Sequence, residues 1–179
     1  LLHTNIDGMF IDMEHTPISL NEAQNIIQLS QSYGVACLPR PISNDINNYK
    51  KLLELGANGL LFPMIESTDD VASYQDIFYY PPKGQRSYGV NRAHSYGLEF
   101  EKYTKEWNTK SIFMIQIESV QGVNNLETIL KSFDIDGVMI GPYDMSASIG
   151  KPGDIESDEV KKMSNKVIQI CKQYNVSVG

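Results

Sequence analysis

The feature that most constrains this chain is a series of short apolar runs separated by segments of helical periodicity. The runs are near-continuous rather than alternating, which is typical of parallel strands covered on both faces. They are GMFI (8–11), VACLP (35–39), GLLFP (59–63), IFMIQI (112–117) and GVMIG (137–141). Strands that alternate with helices predict an α/β protein with a parallel sheet.

The segments between the runs carry helix signals. In the first, Ser19 and Glu22 match a capping box, and Gly34 follows the apolar stripe as a stop signal. The predicted helices cover 19–34, 44–56, a segment that starts at 67, 98–107, 120–133 and 158–175.

The pattern alone leaves the topology open. Five strands are visible, and a further one begins at NVSVG. A closed (β/α)8 barrel needs about 250 residues, whereas a five-stranded doubly wound sheet would also fit a chain of 179 residues.

Composition excludes some classes of partner. The net charge of −7 argues against nucleic acid and anionic membranes, which both favour basic patches. A membrane-spanning helix needs an apolar run of about 18 residues, and the sequence has no run of that length. Cys37 and Cys171 are expected to be buried free thiols, which suits the reducing cytoplasm.

Polar residues that are unusual for a buried sheet follow the apolar runs. They are Asp12, Glu14, His15, Arg40, Gln116, Glu118 and Asp144. The C-terminal ends of parallel strands form the catalytic end of barrels and open sheets. We therefore expect a functional site at this end.

Most of these residues also have a structural interpretation. Asp12 and Asp144 could cap the following turns, His15 could be a structural hydrogen-bonded residue, and Arg40 could pair with a carboxylate. As a set, they indicate a hard divalent cation, Mg²⁺ or Mn²⁺, with an anionic substrate. Schiff-base chemistry is disfavoured because no lysine follows a predicted strand directly.

The long segment YYPPKGQRSYGVNRAHSYG, residues 79–97, is the one extended break in the pattern. Loops of this length in a compact domain are usually functional or mobile.

An ordered set of motifs resembles the HpcH/HpaI aldolase family, which comprises class II, metal-dependent pyruvate aldolases. The motifs are IDMEHTP, PRP, KKLLELGANGLLFPM, YPPKGQRSYG, IQIES and IGPYDMSASIGKPG. The resemblance runs from about residue 6 to residue 179. It implies a (β/α)8 TIM barrel that is incomplete here, without the first strand and the last two strands. Residues 1–179 would then form one truncated catalytic barrel domain.

The resemblance also implies roles for individual residues. Glu118 and Asp144 would be the metal ligands, with Mg²⁺ or Mn²⁺ bound and Co²⁺ as a further candidate. His15 would be the general base, acting through water, with Glu54 raising its proton affinity. Arg40 would stabilise the enolate.

Substrate contacts follow from the same resemblance. Gln116 would touch the substrate, and the backbone amides of Tyr143 and Asp144 would hold its carboxylate. Asp12 and Glu14 would not touch the substrate but would hold the residues that do.

The implied activity is a carbon–carbon lyase, a class II aldehyde-lyase. It would reversibly cleave a 4-hydroxy-2-oxo acid into pyruvate and an aldehyde through a pyruvate enolate. The alternatives are a related enolate-forming lyase or decarboxylase, for example on oxaloacetate, and a non-catalytic metabolite-binding barrel. The expected partners are small molecules and further copies of the chain, in a hexamer as in the family. Nucleic acid and membranes are not expected partners, and the expected compartment is the cytoplasm.

Overall fold

The computed structural model describes residues 5–43 and 45–179, so Asn44, with which the second predicted helix begins, lies outside the described residues. The strands of this part are β1 Gly8–Asp12, β2 Ala36–Arg40, β3 Gly59–Phe62, β4 Ile112–Ile117, β5 Gly137–Ile140 and β6 Ser177–Val178. The helices are α1 Leu20–Ser32, α2 Ile46–Glu54, α3 Thr68–Phe78, α4 Phe100–Lys110, α5 Val120–Ser132, α6 Pro142–Ser148 and α7 Asp158–Gln173, with a 3₁₀ segment at Arg92–Gly97.

The apolar runs and helix signals are confirmed as elements. Each of the five runs coincides with a strand to within one residue at either end, and NVSVG contains β6. The capping box forms, because the Glu22 N–H donates to Ser19 Oγ and the Ser19 N–H donates to the Glu22 carboxylate at 2.8 Å. Ser67 caps α3 by accepting a hydrogen bond from the Asp70 N–H at 3.2 Å.

The chain forms two compact units, Leu1–Leu61 with Tyr74–Ile112 and Phe62–Ser73 with Phe113–Gly179. In the first unit, β1 and β2 pair in parallel, from Gly8 opposite Ala36 to Asp12 opposite Arg40. Helix α1 packs on β2 and on α2. The buried core of this unit includes Ile27, Cys37, Leu52, Leu53, Leu60 and Phe78.

In the second unit, β4, β5 and β6 form parallel pairs. Met114 lies opposite Gly137, and Val138 lies opposite Val178. Helix α7 contacts α5, α6, β5 and β6. The core includes Phe113, Ile115, Leu126, Ile129, Val138 and Val167.

The parallel pairing and the strand–helix alternation confirm an α/β fold with parallel sheets. Cys37 and Cys171 are buried free thiols, as predicted. None of the helices in the described part of the chain is both long and apolar enough to cross a membrane.

Candidate functional site

Asp12, the last residue of β1, shapes the turn that presents the residues after it. Its Oδ1 accepts hydrogen bonds from the backbone N–H of Glu14 at 3.0 Å and of His15 at 3.3 Å. The Thr16 hydroxyl donates to the Asp12 carbonyl oxygen in the same turn. Short side chains of this kind commonly organise turns in this way, so IDMEHTP folds back immediately after the strand.

Arg40 ends β2 directly opposite Asp12, and the two side chains form a two-pronged ion pair. Nε and Nη2 of Arg40 donate to Oδ1 and Oδ2 of Asp12 at 2.9 and 2.7 Å. Burial alone would raise the pKa of Asp12, but the hydrogen bonds from Arg40 and the backbone outweigh it and lower this pKa below its ordinary value. The strand register therefore fixes the guanidinium at the end of β2.

Glu14 and His15 lie beside this pair. Glu14 Oε2 is 3.5 Å from Arg40 Nε and 3.7 Å from His15 Nε2, and its other oxygen accepts from the Ser43 hydroxyl. The His15 side chain is 64% exposed. It is therefore open to water and can exchange protons with it.

Glu54 lies away from this group, although it belongs to the same unit. Helix α2 carries the chain back from the end of β2 to the start of β3, and Asn58 N donates to the carbonyl oxygen of Cys37 near the start of β2. The Glu54 carboxylate accepts from Arg86 Nη2 at 3.3 Å and from Asn91 Nδ2 at 2.6 Å. The contact between His15 and Glu54 implied by the resemblance is not formed among the described residues, because nine helical residues of about 1.5 Å each separate the two ends of α2.

Arg86 is a residue whose importance the sequence reading missed. It is 3% exposed, and its guanidinium carbon lies 4.6 Å from the ring centres of both Tyr80 and Trp107 and 5.7 Å from that of Tyr103. The sequence signal was weak, because Arg86 is one of two arginines in a loop rich in tyrosine. It anchors the 79–97 segment, for which the sequence predicts a functional or mobile loop.

In the second unit, Glu118 and Gln116 lie together at the end of β4. The Glu118 side chain is buried, with 3% exposure. Its Oε1 accepts from the Met64 N–H at 2.7 Å, and its Oε2 accepts from Gln116 Nε2 at 2.6 Å. The prediction that residues 116 and 118 point to the same side is confirmed by this hydrogen bond.

Gly141 allows the chain to pass close to this carboxylate. A Cβ atom there would lie 2.6 Å from Glu118 Cβ and 2.7 Å from Glu118 Oε2. The Gly141 N–H donates to the Ile117 carbonyl oxygen at 3.1 Å. Glycine is therefore required for α6 to begin next to the end of β4.

Tyr143 and Asp144 lie in the first turn of α6, and both are exposed. The first intrahelical acceptor, the Gly141 carbonyl oxygen, takes the Met145 N–H at 3.0 Å. The amides of Tyr143 and Asp144 precede this bond, as the first amides of helices do, and can bind a ligand. Asp144 lies within this turn and does not cap it from outside.

The predicted metal ligands are two carboxylates of the second unit, Glu118 and Asp144. No group of three or more His, Cys, Asp or Glu side chains in residues 5–43 and 45–179 is arranged to hold a metal. A site with two carboxylates suits Mg²⁺ or Mn²⁺, which complete their octahedron with water and substrate oxygens. The buried carboxylate oxygens of Glu118, held in one orientation and lying close to Gly141, fit such a cation.

The predicted residues thus fall into separate groups. His15 and Arg40 lie together with Asp12 and Glu14 in the first unit, and Glu54 lies apart from them in that unit. The remaining predicted residues, Gln116, Glu118, Tyr143 and Asp144, belong to the second unit.

Comparison with known proteins gives concordant matches. The 2-keto-3-deoxy-L-rhamnonate aldolases of Klebsiella pneumoniae and of Escherichia coli O157:H7 are each 34% identical over 175 residues. The match covers 97% of this chain but only 65% of each aldolase.

Solved structures agree with these matches. An HpcH/HpaI aldolase/citrate lyase family protein from Burkholderia cenocepacia has a TM-score of 0.93 and 29% identity, covering 99% of this chain and 72% of that one. An HpcH/HpaI aldolase from Desulfitobacterium hafniense has a TM-score of 0.88 and 27% identity, covering 98% and 68%. The model of the HpcH/HpaI aldolase/citrate lyase family matches residues 1–178, and the chain belongs to this family.

Proposed function

We propose that this chain belongs to a metal-dependent aldolase that reversibly cleaves a 4-hydroxy-2-oxo acid into pyruvate and an aldehyde. The observation that carries the proposal is the buried carboxylate of Glu118, held in one orientation by Met64 N–H and Gln116 Nε2. Family membership and the aldolase names of the relatives support the reaction class.

Glu118 and Asp144 would hold the divalent cation, Mg²⁺ or Mn²⁺, with Co²⁺ as a further candidate. When bound, the cation supplies Lewis acidity toward the 2-oxo acid. Both side chains are hard oxygen donors. Glu118 directly follows β4, and Asp144 lies on α6, which begins after Gly141.

Substrate orientation in the second unit is assigned to Gln116 and α6. The amides of Tyr143 and Asp144 donate to the substrate carboxylate. The Gln116 side chain spends one amide hydrogen on Glu118. Gln116 contacts the substrate through its side-chain amide, which carries both donor and acceptor atoms.

Proton transfer is assigned to His15. In the direction of synthesis, His15 accepts, through water, a proton from the methyl group of pyruvate, and the electron pair of the broken C–H bond forms the enolate. In cleavage, the proton returns to that carbon. Histidine is the side chain that most often transfers protons in enzymes, and the exposure of His15 gives it access to water.

Arg40 is assigned to stabilise the enolate oxygen, which becomes negative during the reaction. Its guanidinium is fixed by Asp12 before any substrate binds, so little reorganisation is needed when charge develops. Glu14 supports it from a second side.

Glu54 enters this scheme only through a second copy of the chain. Within the described part of one chain Glu54 bonds to Arg86 and Asn91 and His15 lies beside Glu14, whereas an assembly of copies would bring Glu54 to the His15 of a neighbour. We therefore propose that the protein is a homo-oligomer. We also propose that it is built on a (β/α)8 barrel and acts on small molecules in the cytoplasm.

The test is deuterium exchange at the methyl group of pyruvate, followed by NMR, with Mg²⁺ or Mn²⁺ and with a chelator. We expect exchange that needs the metal. His15→Ala should abolish exchange and retain Mn²⁺ binding, whereas Glu118→Gln should lose both.

Lys50→Ala, an exposed change on α2, is the matched control and should behave as the parent chain. Metal-independent exchange, or exchange that persists in His15→Ala, would contradict the assignment.

A further inference from the structure

A cavity of about 650 Å³ lies wholly within the first unit, where β3 and β4 begin. Asn58 and Ser111, which directly precede these strands, line it. His15 and Arg40 follow the opposite ends of their strands and do not line this cavity. The volume is that of an ordinary small-molecule site, and the proposed lyase reaction does not use it.

The positive and negative side chains that line the cavity are equal in number. Lys110 lies 2.9 Å from Glu106. The Arg92 guanidinium donates to the Leu55 carbonyl oxygen at 2.6 Å and to Gln31 Oε1 at 2.9 Å. With Glu99, which also lines the wall, the cavity has two cations and two carboxylates. A ligand here is not selected by its charge.

The open hydrogen-bonding groups of the cavity are neutral. Ser111 is nine-tenths buried, and its hydroxyl has no hydrogen-bond partner in the described part of the chain. Asn58 Oδ1 accepts from Cys37 N and Gln31 Nε2, both at 3.0 Å, while no hydrogen bond from its amide nitrogen to another described residue is formed. A buried hydroxyl without a partner is costly, and a ligand hydroxyl would satisfy it once the Ser111 side chain turns toward the cavity.

Aromatic rings supply the apolar surface. Tyr96 lines the cavity with 70% exposure, and Trp107 lines it from α4. Ser95 and Tyr96 both adopt the left-handed region, with φ of 54° and 55°. Non-glycine residues are rarely held in this conformation, and such strain is concentrated at ligand clamps and functional loops.

We propose that this cavity binds a neutral monosaccharide, an uncharged ring that carries hydroxyl groups. The C–H face of the sugar packs against the Tyr96 ring, as aromatic rings with a polar edge allow. Its hydroxyls bond to the Ser111 hydroxyl and to the Asn58 amide. A phosphate or carboxylate is disfavoured because Arg92 and Lys110 already have partners.

Trp107 is the single tryptophan of the sequence, so the tryptophan fluorescence of the chain reports on this cavity directly. The experiment is a fluorescence titration of the folded chain, without metal or pyruvate, with L-rhamnose, L-fucose, D-glucose and D-galactose. Inorganic phosphate and pyruvate serve as charged probes. We expect a saturable change with at least one sugar and none with the anions.

Variants assign the change to the cavity. Tyr96→Ala and Ser111→Ala should each weaken sugar binding by about tenfold, the loss of one good contact. Val90→Ala is the matched control, since Val90 is also 70% exposed and does not line the cavity. It should bind as the parent chain does, and circular dichroism should show all three variants folded.

Three results would overturn the proposal: no saturation with any sugar up to its solubility limit, saturation with an anion alone, or unchanged affinity in folded Tyr96→Ala. Because the titration contains neither metal nor pyruvate, its outcome is independent of the proposed lyase activity.

Discussion

Arg86 Nη2 lies 3.3 Å from Glu54 Oε1, and the arginine is enclosed by the rings of Tyr80, Tyr103 and Trp107. This pair joins the end of α2 to the 79–97 segment. The segment is therefore held by a buried charge as well as by apolar packing.

Removal of Arg86 should destabilise the chain substantially. Arg86→Met leaves the Glu54 carboxylate without its cation, and breaking a buried pair from one side typically costs about 3 kcal/mol or more of unfolding free energy. Arg86→Lys should restore only part of this, because an ammonium group does not stack flat between rings.

Urea denaturation of both Arg86 variants measures the effect. Lys83→Met is the control in the same loop; its ammonium group lies over the Tyr79 ring at 3.9 Å, and its loss should cost less than about 1 kcal/mol. Equal destabilisation by Arg86→Met and Lys83→Met would refute the anchoring role.

Gly141→Ala should weaken metal binding by disturbing Glu118. The added methyl group would lie within 2.6–2.8 Å of Glu118 Cβ, Glu118 Oε2 and Gln116 Nε2, so these groups must move. Calorimetric titration with Mn²⁺ should show affinity lower by about tenfold, a typical loss when the support of a ligand is disturbed.

Gly8→Ala is the glycine control for that titration, because its Cβ would meet only ordinary contacts at 3.6 and 3.8 Å. Its Mn²⁺ affinity should equal that of the parent chain. A Gly141→Ala variant with parental affinity would show that the carboxylate does not depend on the close approach.

The Asp12–Arg40 pair should make stability depend on pH. The lowered pKa of Asp12 means that the folded state favours the charged carboxylate, so its contribution is present above about pH 4 and is lost as the pH falls through the folded-state pKa. The unfolding free energy of the parent chain should exceed that of Asp12→Asn most clearly near neutral pH, and the gap should narrow below pH 4.

Chemical denaturation of both chains between about pH 3 and pH 7 checks this. Asp69→Asn, at an exposed position of α3, is the control. If the difference in unfolding free energy between the parent chain and Asp12→Asn stays constant across this range, the Asp12–Arg40 pair is not the source of the pH dependence.

Both cysteines should be unreactive in the folded chain. Cys37 and Cys171 are fully buried, and burial raises the pKa of each to about 11, so the thiolate is scarce at neutral pH. A chromogenic disulfide reagent should label neither thiol before unfolding and both in denaturant. Val90→Cys should add one thiol that reacts at once, and rapid labelling of the parent chain would show that the core opens.

The sequence predicted local features well. The apolar runs gave the strands, Ser19 and Glu22 formed the capping box, and residues 116 and 118 shared one side of β4, since each depends on neighbours a few residues away. The partner of Glu54 could not be predicted, because Arg86 and Asn91 lie 32 and 37 positions further along the chain. The cavity at the start of β3 and β4 was also not predicted, since its lining comes from four separate segments.

The Glu54 anchor has a consequence for laboratory evolution of this chain. Arg86 and Asn91 both bind Glu54, and Gly89 lies so close that an added Cβ would be 3.2 Å from Glu54 Oε2. The exposed side chains of Tyr88 and Val90 lie between these fixed points. Libraries that randomise positions 88 and 90 while keeping 86, 89 and 91 would vary a surface on a backbone whose path is already set.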